Sequence, residues 1–153
     1  MATQLSSGDL KMPENIYSQR KNDLLLLTIN RFRDINKDRT DLCPENEFLQ
    51  ISTKKITKGT KFKPHRHNEL ERVTDITQEA WVVLHGRIRA TFWDIDDTIV
   101  KETELAAGDC AVVYRGGHGF EVLEDDTILY EIKTGPYFGV EEDKTMIETN
   151  KGV

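Results

Sequence analysis

Apolar positions in this chain come in short runs separated by turn residues, and no window of a dozen residues keeps a helical period. The first run, residues 24–27, is four consecutive leucines, and it predicts a strand over 24–30. From 48 to 134 the β-rich runs fall at 48–57, 60–67, 79–85, 87–95, 98–105, 110–114, 118–124 and 127–134. Alternation is clearest from Arg87 to Asp94: Ile88, Ala90 and Phe92 share one face, and Arg87, Arg89, Thr91 and Trp93 the other. Such a succession predicts an all-β domain, a barrel or a sandwich. Between the first run and the rest, residues 31–47 are dense in charge and turn formers, and read as loop with at most a short helix. Residues 1–23 are polar and aperiodic and predict a flexible arm, 24–138 the β-domain, and 139–153 a C-terminal tail.

Length bounds this picture to one domain, since 153 residues suffice for a single core. A hydrophobic share of 37% and a charged share of 31% are ordinary for a globular protein. No apolar stretch approaches a membrane span, and the polar start lacks the apolar centre of a secretory signal, so a cytoplasmic protein with no membrane partner is expected. A net charge of −6 argues against a nucleic-acid partner. Cys43 and Cys110 belong to no paired motif and read as two buried thiols, with a single disulfide the alternative. The acidic Asp94-Ile95-Asp96-Asp97 suggests calcium, but Ile99 and Leu105 occupy the glycine and glutamate positions of an EF-hand loop, so it reads as a hairpin turn.

Candidate chemistry centres on the four histidines. In His65-Arg66-His67 two imidazoles alternate on what reads as a strand, about 6.6 Å apart along it, near enough to converge on one metal ion. Gly59 lies six positions before His65, Glu79 opens the next apolar run, and Gly86 lies seven positions after Glu79. A later run from Gly108-Asp109 leads to Gly116-Gly117-His118. This ensemble, over residues 59 to about 124, resembles the two sequence motifs of the cupin superfamily. The resemblance implies a cupin-type β-barrel, a double-stranded β-helix or jelly roll, holding one metal through His65, His67, Glu79 and His118. It departs from the pattern in three ways: residues 68–78 make a longer gap than usual, Tyr114 stands in place of a proline, and His118 comes one position early with no asparagine following at the usual place. His85 shares parity with Glu79, but six residues of extended chain separate them by about 20 Å, which makes it a turn residue and not a ligand.

Three imidazoles and a carboxylate suit a divalent first-row metal, with iron, manganese, nickel and zinc all open, and leave two positions of an octahedron for substrate. Around it, Trp81 and Val83 share the face of Glu79, and Phe120 and Val122 that of His118, as an apolar lining. Glu131 and Lys133 oppose Ile128, Tyr130 and Ile132; if the latter face outward the charged pair points inward, although a solvated charged face is the plainer reading. Glu131, Lys133 and Tyr137 are the candidate catalytic bases, and Lys61, Lys63 and Arg66 could attract an anionic substrate. The run from Glu131 to Tyr137, after Gly116-Gly117-His118-Gly119-Phe120, is similar to small cupins of carbohydrate and surface-polysaccharide pathways. That resemblance implies a metal-dependent enzyme on a small hydroxylated or carboxylated substrate, foremost a sugar isomerase or epimerase. An iron-dependent dioxygenase and a non-catalytic sugar-binding cupin are the alternatives. The outward apolar set, and a strand within residues 1–30 that lacks an obvious partner, predict a homodimer.

Overall fold

The computed structural model describes residues 12–149. Among these residues ten strands carry the fold: β1 (Glu14–Tyr17), β2 (Leu25–Asn30), β3 (Thr40–Asp41), β4 (Ser52–Thr53), β5 (Glu79–His85), β6 (Arg87–Trp93), β7 (Ile99–Ala106), β8 (Cys110–Val113), β9 (Gly117–Val122) and β10 (Ile128–Lys133). Five form a sheet in the order β1-β2-β8-β5-β10, three a second sheet in the order β7-β6-β9, and β3 and β4 pair on their own. Every pairing is antiparallel. Among the described residues no helix is long and apolar enough to cross a membrane.

The two larger sheets face each other across one core. Leu27, Ile29, Trp81, Val83, Ala111 and Val113 from the five-stranded sheet share a buried cluster with Ile88, Ala90, Phe92 and Leu105 from the three-stranded one. The alternation read in β6 places its apolar set in this core, because a half-buried strand turns every second side chain inward. β2 does not alternate, since both of its faces are covered and all six of its residues are buried. On the outer side of the five-stranded sheet, Leu42, Cys43, Leu49 and Ile51 pack against Leu25, Ala80, Cys110 and Val112 as a second cluster. Both cysteines are free thiols buried there. Burial, then the neighbouring Cys43 and Asp109, pushes the Cys110 thiol up to about 12.

Several expectations need correction. The run 60–67 forms no strand, and only Ser52 and Thr53 of 48–57 are extended in a sheet. Residues 54–76 are exposed throughout, and their many lysines leave too little apolar surface to bury. Phe62 stays 62% exposed, with the Lys54 ammonium 5.0 Å from its ring centroid. The first strand has partners on both sides: β2 pairs with β8 on one edge and with β1 on the other. Part of the expected N-terminal arm is therefore sheet, while residues 1–11 and 150–153 of the arm and tail lie outside the described residues. The tail holds one helical turn, Val140–Asp143, anchored where Thr77 Oγ1 donates to Asp143 Oδ1 at 2.6 Å.

Candidate active site

Between the sheets, at the end where β5 begins, lies a cavity of about 490 Å³. Pairing register selects what enters it. In β5 the inward positions are Glu79, Trp81 and Val83, and β10 sets Lys133 opposite Glu79 and Glu131 opposite Trp81. From the other sheet, β9 sets His118 opposite Phe92 and Phe120 opposite Ala90. Glu79, Trp81, His118, Phe120 and Glu131 all line the cavity; the register puts Lys133 and Glu131 on the face of Glu79 and Trp81, where Glu131 itself stays exposed, in keeping with a solvated charged face. Ile128, Tyr130 and Ile132 point outward.

Glu79 and His118 meet at its floor. The Glu79 carboxylate is buried, takes a 2.7 Å hydrogen bond from the Trp81 indole, and lies with Oε1 3.5 Å from His118 Nε2. Burial by itself raises the Glu79 carboxyl, but the His118 imidazole, the Trp81 N–H and the Lys144 charge together outweigh it and hold the group below its ordinary value. The opposite nitrogen, His118 Nδ1, is buried with no hydrogen-bond partner among the described residues. Trp81 meets the His118 ring edge-on at 5.4 Å between centroids, Phe120 at 5.0 Å, and stacks with Phe92 at 6.0 Å. The floor is therefore a carboxylate and an imidazole held in an aromatic wall.

Other expected site residues are placed elsewhere. His65 and His67 lie on the exposed segment, their rings edge-to-face at 5.4 Å, with His65 Nδ1 3.1 Å from Lys63 O. Because that segment is not a strand, alternation gives no reason for the two to share a face. Lys61, Lys63 and Arg66 are exposed with them. Among the described residues, no three histidine, cysteine, aspartate or glutamate side chains converge as a metal centre. His85 ends β5 at the turn, Nδ1 3.1 Å from Asp126 O, as expected of a turn residue. Lys133 pairs with Glu131 at 3.2 Å and lies 4.9 Å from the Tyr137 ring centroid. Val122, expected in the lining, does not line the cavity and is 54% exposed on β9, an edge strand, although its partner Ile88 is buried.

Sequence reasoning missed three contributors. Arg115 lines the cavity and is held by Glu47, which also accepts from Gln78 Nε2 at 2.7 Å. The stretch from Lys144 to Ile147 lines the cavity, though it reads as tail. Trp93, on the nominally outward face of β6, completes the wall. Gly117 was the available signal for the tail, since a missing side chain admits a close neighbour; here Ile147 and Trp93 lie against it. No family model matches this chain, and neither does any curated protein or solved structure.

Proposed function

We propose that this cavity is the active site of a metal-dependent enzyme of the cupin type, acting on a small hydroxylated or carboxylated molecule, with isomerisation or epimerisation of a sugar its reaction. The observation that carries the reading is the approach of Glu79 Oε1 and His118 Nε2 at the cavity floor, beside an unpaired buried ring nitrogen. A carboxylate oxygen and an imidazole nitrogen 3.5 Å apart are suitable donor types for a divalent first-row ion, so this pair fits such a group. His65 and His67 would complete the set, carried by the exposed segment that runs into Gln78 and Glu79. Such an ion, when bound, supplies Lewis acidity towards a carbonyl or enediolate oxygen.

The remaining work falls to the chain itself. Trp81 and Phe120 give the cavity an apolar wall against which the C–H side of a sugar ring would lie. Of the three candidate bases, Glu131 lines the cavity and can take a proton from a substrate carbon, while Lys133, paired to it, steadies its charge. Tyr137 is 54% exposed and reaches the site only through Lys133. The aromatic wall alone also suits a non-catalytic sugar-binding protein, which is the second reading. A panel of sugars, sugar acids and nucleotide sugars in heavy water separates the two. The enzyme reading expects one compound to gain carbon-bound deuterium, with Glu131→Gln abolishing the exchange and His118→Ala reducing it. Thermal stabilisation by a sugar with no exchange from any compound would favour the binding protein.

A further inference from the structure

Among the described residues β10 ends its sheet, paired to β5 and to no other strand. The Thr134 amide donates to Gln78 O at 3.0 Å, continuing the register of Lys133 with Glu79. Antiparallel strands send alternate peptide groups to alternate sides, so the even positions of β10 bond towards β5. The N–H and C=O groups of Glu131 and Lys133 therefore face the open edge. On the outer face, Ile128, Tyr130 and Ile132 are 55%, 63% and 43% exposed, beside Leu84 of β5 at 46%. They continue the outer apolar cluster, whose cover by Leu42, Cys43, Leu49 and Ile51 does not extend to β10. An open edge beside an apolar row is a template for another strand.

We propose that the strand is β10 of a second copy of this chain, paired antiparallel about a two-fold axis through Ile132. A two-fold normal to the sheet keeps outer faces together and must pass through a residue, which leaves few registers. Centred on Glu131 or on Lys133, it sets like charges opposite each other. Centred on Tyr130, it sets Glu131 against Leu129 and Lys133 against Thr127. Centred on Ile132, it sets Glu131 opposite Lys133 of the second copy twice, brings the two Ile132 side chains together, and joins the outward peptide groups of Glu131 and Lys133 in backbone bonds. Charge complementarity selects this register. Since Glu131 lines the cavity, the seam runs along the rim of the site and adds the second copy's Lys133 to it. The interface stands independently of whether the site is catalytic.

Sedimentation equilibrium on the full chain should give twice the 17.6 kDa chain mass. Glu131→Lys and Lys133→Glu each place like charges opposite one another twice, and each should weaken the dimer by about tenfold or more. The double variant E131K/K133E restores the opposition and should return the affinity to near that of the wild type. Ile132→Cys, which keeps both charges, should give an interchain disulfide on mild oxidation, because non-hydrogen-bonded partners bring Cβ atoms close enough to bridge. Ile128→Cys should give little. A monomer at about 50 µM would overturn the proposal. So would a dimer indifferent to the single swaps, a double variant no tighter than either single one, or equal bridging by both cysteine variants.

Discussion

Arg115 grips Glu47 with both terminal guanidinium nitrogens, each 2.9 Å from a carboxylate oxygen, across 68 residues of chain. Glu47 also accepts from Gln78 Nε2, and Gln78 Oε1 in turn accepts from the Leu49 amide, both at 2.7 Å. Gln78 immediately precedes Glu79, so one fork ties the outer cover, the cavity wall and the carboxylate of the site. Breaking such a pair leaves a half-buried guanidinium short of its partner. Glu47→Gln should lower stability by about 2–3 kcal/mol in chemical denaturation, and Arg115→Lys by less, since an ammonium cannot span both oxygens. A loss below about 0.5 kcal/mol for Glu47→Gln would remove the network from the account.

Asp94, fully buried at the end of β6, accepts from Ser18 Oγ at 2.6 Å and from the amides of Gln19 and Ile95 at 2.7 Å. Burial alone would raise its carboxyl, but the hydrogen bonds from Ser18, Ile95 and Gln19 outweigh that and hold it below the usual carboxylate range. A folded-state value below the unfolded one, about 3.9, makes the stabilisation complete above that pH and lost as pH falls through the folded value. Asp94→Asn should cost about 2 kcal/mol near neutrality, with the gap to wild type closing below about pH 4. A gap constant from pH 7 to pH 3 would show that the charge of Asp94 is not what is used.

Gly116 takes φ +83°, and a Cβ there would lie 2.5 Å from the Trp93 carbonyl oxygen. Left-handed backbone and collision with a main-chain atom cannot both be relieved by a rotamer change. Gly116→Ala should therefore cost about 2 kcal/mol or more in thermal or chemical unfolding, although it adds only a methyl group. An unchanged midpoint would mean that β9 enters the sheet differently.

Lys144, Met146 and Ile147 line the cavity together with Trp81 and Trp93, which are the chain's two tryptophans. Deleting residues 144–153 should raise acrylamide quenching of the indole fluorescence severalfold while leaving the far-ultraviolet spectrum unchanged, since the sheets do not depend on that stretch. Equal quenching in both proteins would show that the tail does not shield the site.

Hairpins were legible because their signals are local. Alternation over Ile88, Ala90 and Phe92 gave β6, and the turns at Gly86 and at Asp94 to Asp97 bound it. Glu79 and His118 were named together only through what the cupin resemblance implies, and their approach rests on β5 and β9, which both fall within runs read as strands. The reading failed where a motif was taken as evidence of a strand: His65 and His67 alternate only if the chain is extended in a sheet, and nothing apolar holds residues 60–67 there. Arg115, Glu47 and Gln78 were invisible for another reason. Their bonds join positions 31 to 68 residues apart, and no periodicity marks a polar side chain whose partner lies on another element.

Elemental analysis of protein purified without chelators and offered iron, manganese, nickel and zinc tests the pairing of Glu79 with His118 most directly. Wild-type protein should hold about one transition-metal ion per chain, as a single set of donors allows. Glu79→Gln and His118→Ala should lose most of it, His65→Ala and His67→Ala should weaken retention, and His85→Ala should match wild type. No metal in wild-type protein, or equal metal in wild type and His118→Ala, would contradict the account.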